Sequence, residues 1–233
     1  MAVAKRKNTL GLIVLSLAIV LLAVAGWVYI SDRNTAYAQQ LAWTLLSDEF
    51  TETTERGRII DFDALRAINP DVVAWIYIPG TLVDYPVVQT SNNTFYLNRN
   101  FERNWCRAGS IYLDAAAASD FTDVDTYIFG HHLRSGAMFG SLVMFRDSDF
   151  AEEHSVIYVF TPESTKTYTV VDSGLIHATE TIEVPEFDVD DYFITLVTCE
   201  YDFDDARYWV RAILNESRSR TGGMTTSERS DHE

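Results

Sequence analysis

Residues 192–214 read YFITLVTCEYDFDDARYWVRAIL. Two runs rich in β-branched and aromatic residues, Tyr192 to Thr198 and Arg207 to Leu214, flank the acidic stretch Glu200 to Asp205. That pattern predicts two antiparallel strands joined by a polar loop, with Cys199 at the end of the first strand. Antiparallel partners keep a constant index sum, so a hairpin centred near Phe203 sets Cys199 opposite Arg207, their Cβ atoms about 4.5 to 5.5 Å apart. Arg211 has the same parity as Arg207, and spacing alone leaves open which arginine serves the cysteine. A cation fixed beside a cysteine lowers the thiol pKa or holds a developing oxyanion.

The same kind of run recurs upstream. Val72 to Ile78, Tyr85 to Gln89, Ser110 to Asp114, Thr126 to Phe129, Val156 to Thr161 and Thr167 to Val171 are short, β-prone and separated by Pro, Gly, Asn and Asp. With the hairpin they make eight strands, which predicts a mainly β barrel or sandwich. Helical signals are few. Asn34 or Thr35 caps an expected helix to about Phe50, and Thr51 to Gly57 reads as a polar break. Asp61 caps a short helix over Phe62 to Ile68 that Asn69-Pro70 closes, and Met138, Leu142 and Phe145 recur at helical spacing after Gly136. Ser217 to Glu233 is polar and reads as a disordered tail.

At the other end, Leu10 to Ile30 is 21 residues without a charge. At 1.5 Å per residue it reaches about 31 Å, the thickness of a bilayer core. Lys5, Arg6 and Lys7 precede it, and Trp27 and Tyr29 lie near its far end. The positive-inside rule then predicts a single-pass anchor with a cytoplasmic N-terminus and an extracellular C-terminal domain. The rival reading is a cleaved signal peptide, with Ala23-Val24-Ala25 or Ala36-Tyr37-Ala38 as the processing site. The resulting layout is a basic N-terminus at 1–9, an anchor at 10–30, a helical juxtamembrane segment at 31–60, a β-barrel domain at 61–215 and a polar tail at 216–233.

Composition narrows the function. Of 233 residues, 47% are apolar and 22% charged, so the chain as a whole is neither disordered nor fibrous. A net charge of -16 excludes an electrostatic nucleic-acid binder, which needs a positive face. Metal and cofactor sites are not expected. His131-His132 is the tight histidine pair, but neighbours on an extended chain point to opposite faces, and no H-E-x-x-H or C-x-x-C motif occurs. Cys106 and Cys199 are the two cysteines, read either as one structural disulfide or with one of them as a nucleophile. A nucleophilic Cys199 needs a base, and His131, just past a predicted strand and Gly130, can face a groove from a strand end. Glu200 either orients His131 or is a solvated loop acid.

At these residues a resemblance becomes specific. Thr195-Leu196-Val197-Thr198-Cys199 resembles the T-L-x-T-C signature of the sortases, and Phe129-Gly130-His131-His132 their Y-G-H-x segment. Val73-Ala74-Trp75-Ile76, Tyr85-Pro86-Val87-Val88-Gln89, Tyr96-Leu97, Gly109 to Asp114 and Met138 to Leu142 resemble class B segments in the family's order. Asp205-Ala206-Arg207-Tyr208 is similar to the site of the family's arginine. The resemblance runs from about Asp61 to Leu214. It implies an eight-stranded sortase β-barrel with N-terminal helices and a few short ones. It also implies a membrane-anchored cysteine transpeptidase that cleaves a C-terminal sorting signal after threonine through a thioacyl enzyme. Cys199 is then the nucleophile, His131 the general acid and base, and Arg207 the oxyanion or positioning group, with Thr195, Thr198 and Tyr201 as substrate contacts. The implied partners are a sorting-signal-bearing surface protein or pilin and an amine from a cell-wall precursor or a lysine. The rival functions are a secreted cysteine protease and a non-catalytic adhesin or scaffold. One departure stands out: class B enzymes carry a helix-bearing insertion before the cysteine strand, and here only about Ala178 to Asp191 is available. A lower groove wall and looser selectivity follow, unless the loop Thr90 to Asn104 closes the wall with Phe95, Tyr96 and Phe101.

Overall fold

The computed structural model describes residues 11, 13–27, 49–54, 57–177, 179–182, 191–199 and 205–219. The chain divides into two compact units, 1–46 and 47–233. In the first, residues 13–27 form helix α1. Ile13, Leu15, Leu22 and Trp27 on it are all more than half exposed, so it is apolar all round. Among the described residues no helix is long and apolar enough to cross a membrane. Of the 10–30 stretch expected to span a membrane, α1 covers about 22 Å, and the flanking residues lie outside the described ones. The predicted helix over 34–50 is likewise described only at Glu49 and Phe50, which are helical.

The second unit begins with a two-stranded hairpin, β1 (Thr51–Thr54) and β2 (Gly57–Ile60), where the sequence reads as a polar break. Three threonines supply the β-branched character, and a side chain ties the hairpin down. Arg58 donates to Thr51 Oγ1 at 3.0 Å and pairs with Asp84 at 2.7 Å. Helix α2 (Phe62–Ile68) starts as expected, the Asp61 carboxylate accepting from the Ala64 N–H, and buries Phe62 and Leu65. Its end coincides with Asn69-Pro70.

Eight strands follow: β3 (Val72–Tyr77), β4 (Asp84–Val88), β5 (Ile111–Leu113), β6 (Asp125–Phe129), β7 (Val156–Phe160), β8 (Ser164–His177), β9 (Phe193–Cys199) and β10 (Ala206–Ser219). They close into a barrel in the order β10-β8-β7-β3-β4-β5-β6-β9. All eight predicted strands are present. The interior is aliphatic: Ile128 of β6, Ile157 and Val159 of β7, Ile194 and Leu196 of β9, and Val210 and Ala212 of β10 are fully buried. Each larger aliphatic contributes about 1.5 to 3 kcal/mol on burial. The β4–β5 and β6–β9 pairs are parallel and the rest antiparallel.

Two local differences from the sequence reading have simple causes. Strand β10 runs to Ser219, pairing with β8 as far as Ser164, so it takes in the first residues read as tail. Its outer third pairs only with β8 and is part-exposed to exposed throughout, which removes the period-2 apolar signal while the ladder continues. The helix after Gly136 is a 3-10 helix (Gly140–Arg146) followed by α3 (Ser148–Glu153), capped by the Asp147 carboxylate on Asp149 and Phe150 N–H. Leu142 and Phe145 sit three apart, the spacing that eclipses in a 3-10 helix, and both are buried.

Candidate active site

The catalytic reading rests on register. Arg207 is the Cα partner of Cys199, followed by Tyr208↔Thr198 and Trp209↔Val197, so the hairpin is centred at Phe203 as the index-sum argument required. On its other side β9 runs parallel to β6, with Tyr127↔Thr195 and Phe129↔Val197. The Gly130 N–H continues this contact by donating to Val197 O at 3.1 Å. Carried two residues further, the register brings residue 131 level with residue 199. Neighbouring strands lie about 4.8 Å apart, so His131, Cys199 and Arg207 form one transverse row across β6, β9 and β10.

Parity puts His131 and Arg207 on the outside of the barrel. Ile194, Leu196 and Thr198 face inward and are at most 2% exposed, which turns residues 195 and 197 outward. Gly130 confirms it from the other strand: a Cβ there would fall 2.5 Å from Ile111 Cδ1 and 2.8 Å from Phe139 Cδ2, both core residues. His131, one residue on, therefore faces out. Its Nε2 lies 2.6 Å from the carbonyl oxygen of Leu97. Arg207 is exposed, available to a charge developing in the row.

Arg211 belongs to a different arrangement on the same outer face. It is 1% exposed, pairs with Asp125 Oδ2 at 2.8 Å, and donates through Nε to Thr195 Oγ1 at 3.0 Å. Thr195 in turn donates to Asp125 Oδ1 at 2.7 Å. Burial, with the Asp125 carboxylate beside it, raises the neighbouring Tyr127 phenol above its ordinary pKa. The two arginines differ in position: Arg207 stands opposite Cys199, while Arg211 stands opposite Thr195 with its guanidinium paired to the Asp125 carboxylate.

The three expected substrate contacts fare unevenly. Thr195 is fully buried with its hydroxyl engaged on both sides. Thr198 points into the barrel at 2% exposure, and its Oγ1 has no hydrogen-bond partner among the described residues. Thr198 faces the barrel interior, whereas Thr195 lies on the outer face with its hydroxyl taken by Asp125 and Arg211. Tyr201, like Glu200, lies outside the described residues. Cys106 sits in a turn, its N–H donating to Asn98 O and its carbonyl accepting from Gly109 N–H, both at 3.0 Å. Of the loop aromatics expected to wall the groove, Tyr96 and Phe101 are buried at 1% exposure, and Phe95 packs under the guanidinium groups of Arg99 and Arg103. The exposed aromatic beside that loop is Trp105 at 78%, which the sequence reading passed over. No group of metal-ligating side chains occurs among the described residues.

A cysteine, a histidine and an arginine set level by register at the ends of adjacent strands are the residue types that acyl transfer through a thiol uses. Residues 76–215 match the Sortase domain family, and the chain belongs to that family. Among its relatives is sortase B of Listeria monocytogenes, 32% identical over 170 residues. That match takes in 70% of this chain and 65% of the relative's length. Of solved structures, sortase B from Bacillus anthracis in complex with AAEK1 is similar with a TM-score of 0.65 at 26% identity, over 77% of this chain and 97% of that one. A class B sortase of Streptococcus pyogenes involved in pilus biogenesis gives 0.61 at 28% identity, over 66% and 98%.

Proposed function

We propose that this chain is a membrane-anchored cysteine transpeptidase of the class B sortase kind. The observation that carries the reading is the row of His131, Cys199 and Arg207, joined by the register of three adjacent strands. In this mechanism the Cys199 thiolate attacks the carbonyl carbon after the threonine of a C-terminal sorting signal. The oxyanion of the tetrahedral intermediate is held by Arg207, whose planar guanidinium offers two donors at fixed geometry. His131, as imidazolium, protonates the departing amine, which leaves a thioacyl enzyme and a neutral imidazole. An incoming amine then attacks the thioester, passes its proton to His131 and releases Cys199 as thiolate. The donor is a surface protein or pilin carrying the signal. The acceptor is the amine of a cell-wall precursor or of a lysine.

The anchor is the finer part of the proposal. Helix α1 is apolar on every face and is preceded by Lys5, Arg6 and Lys7, which supports a segment held in a bilayer with the N-terminus cytoplasmic and the barrel extracellular. Transpeptidation is tested by incubating the full chain in detergent with sorting-signal peptides, with and without a primary amine. The expected result is an amide product whose yield rises with amine at constant rate of peptide consumption. Release of free acid only, unaffected by amine, identifies a protease instead.

A further inference from the structure

The loop that presents Leu97 is anchored far more firmly than a surface connection needs. Tyr96 is 1% exposed, and its hydroxyl donates to Asp71 Oδ2 at 2.7 Å while accepting from Asn69 Nδ2 at 2.7 Å. The same Asn69 amide donates to Phe101 O at 2.6 Å, so one fully buried side chain grips both ends of the loop's first turn. Burial keeps the Tyr96 phenol protonated well above the ordinary tyrosine range, so it remains a donor to Asp71 at every working pH. The Tyr96 carbonyl accepts from Ser110 N–H at 3.1 Å, and Ser110 Oγ donates to Arg99 O at 2.8 Å. Between these fastenings the Leu97 carbonyl projects to His131 Nε2.

Gly109 makes the approach possible. It sits at φ +62, and a Cβ there would lie 2.6 Å from Leu97 O, 2.8 Å from Tyr96 O and 3.0 Å from His131 Cδ2. Any side chain at 109 would therefore push on the carbonyl and on the imidazole together, in a backbone region that L-residues enter only with strain.

The geometry points to the Leu97 carbonyl, seated by Tyr96 and Gly109, as the device that fixes the tautomer and orientation of His131. A carbonyl only accepts, so Nε2 must carry the proton, and Nδ1 is left as the nitrogen that takes and gives the catalytic proton. Leu97, Tyr96 and Gly109 are positioning residues; none touches the substrate in this account. The inference rests on the proposed role of His131, but its first test does not.

Nitrogen-15 NMR of the full chain in detergent, with the His131 signals assigned by their loss in His131→Gln, reads the tautomer of the neutral ring directly. The expected result is protonated Nε2 and unprotonated Nδ1. Protonated Nδ1, or fast averaging of the two forms, overturns the inference whatever the enzyme's activity. Gly109→Ala is expected to lower kcat at least tenfold with KM little changed and to shift His131 toward tautomer averaging. Tyr96→Phe, which keeps the ring and loses the bonds to Asp71 and from Asn69, is expected to cut kcat a few-fold in the same direction. Wild-type activity together with a wild-type His131 spectrum in Gly109→Ala contradicts the bracket. A chain that shows protonated Nε2 yet transfers no acyl group to any amine leaves the bracket standing and removes the transpeptidase reading.

Discussion

The outer face of β6, β9 and β10 carries two arginines four residues apart, and their surroundings divide the face into two regions. At one end Arg211 is shut away with Asp125 and Thr195, every partner within hydrogen-bonding distance and almost no solvent. At the other, Arg207 stands exposed across from Cys199, with His131 on the far side of the same row. The closed end holds a charge for structure, and in the proposed mechanism the open end holds one for chemistry. A guanidinium already paired with a buried carboxylate has no donors to give a transient oxyanion without exposing that carboxylate, so the two roles exclude each other at one residue.

Substitutions at the two ends should separate accordingly. The largest effect falls on Cys199→Ala, expected to reduce acyl transfer at least 1000-fold, about 4 kcal/mol or more in the barrier, while Cys106→Ala retains most of the wild-type rate. Next comes Asp125→Asn, which leaves Arg211 buried and uncompensated; urea unfolding should show a loss of about 3 to 5 kcal/mol. Arg207→Lys is expected to lower kcat/KM about 100-fold with the melting temperature unchanged, because a lysine cannot reproduce two donors in one plane. Arg211→Lys should do the reverse, melting earlier with kinetics close to wild type in the surviving fold. Reversal of these two patterns would exchange the roles of the ends.

The core supplies a pH-dependent comparison. Tyr85 is buried, accepts from the Met138 N–H, and has its pKa pushed up to about 12, chiefly by burial. A raised folded-state pKa makes the neutral phenol favourable to folding below the ordinary tyrosine value. That contribution is lost as pH climbs through the folded value. Tyr85 should therefore contribute a fall of about 2 to 3 kcal/mol between pH about 10 and about 12, in addition to those of the buried Tyr96 and Tyr168, and Tyr85→Phe should remove that share. A denaturant titration at stepped alkaline pH reads both.

The smallest effect concerns the groove. Only residues 178–192 join β8 to β9, and with Tyr96 and Phe101 buried, Trp105 is what the neighbouring loop exposes. A peptide library varied before the scissile threonine, with hydroxylamine as acceptor, should show preferences below 100-fold, and Trp105→Ala should lower them a few-fold further. A single motif preferred by more than 100-fold would mean that the groove is closed by other means.

Much of this was legible in the sequence, for identifiable reasons. The eight strands announce themselves through β-branched and aromatic runs, and the partnership of Cys199 with Arg207 follows from the constant index sum of an antiparallel hairpin. What stayed hidden depends on pairing between strands distant in sequence. The alignment of His131 with Cys199 comes from the parallel β6–β9 contact, whose register no local pattern sets. Arg211 and Arg207 look alike in one dimension, and only Asp125, 86 residues away from Arg211, tells them apart. Thr195 and Thr198 looked available because they adjoin the cysteine, yet one is bound into that network and the other points inward. The role of Gly109 rests on a backbone carbonyl, which carries no residue signature at all.

The central claim is that the acyl group passes through Cys199. It is tested most directly by acid-quenching the full chain during turnover of sorting-signal peptides and measuring the intact mass under non-reducing conditions, followed by mapping of the modified residue. The account predicts an added acyl mass that maps to Cys199, disappears on adding hydroxylamine and accumulates equally in Cys106→Ala. An active enzyme whose two cysteines are joined in a disulfide, or an acyl adduct on any residue other than Cys199, would contradict it.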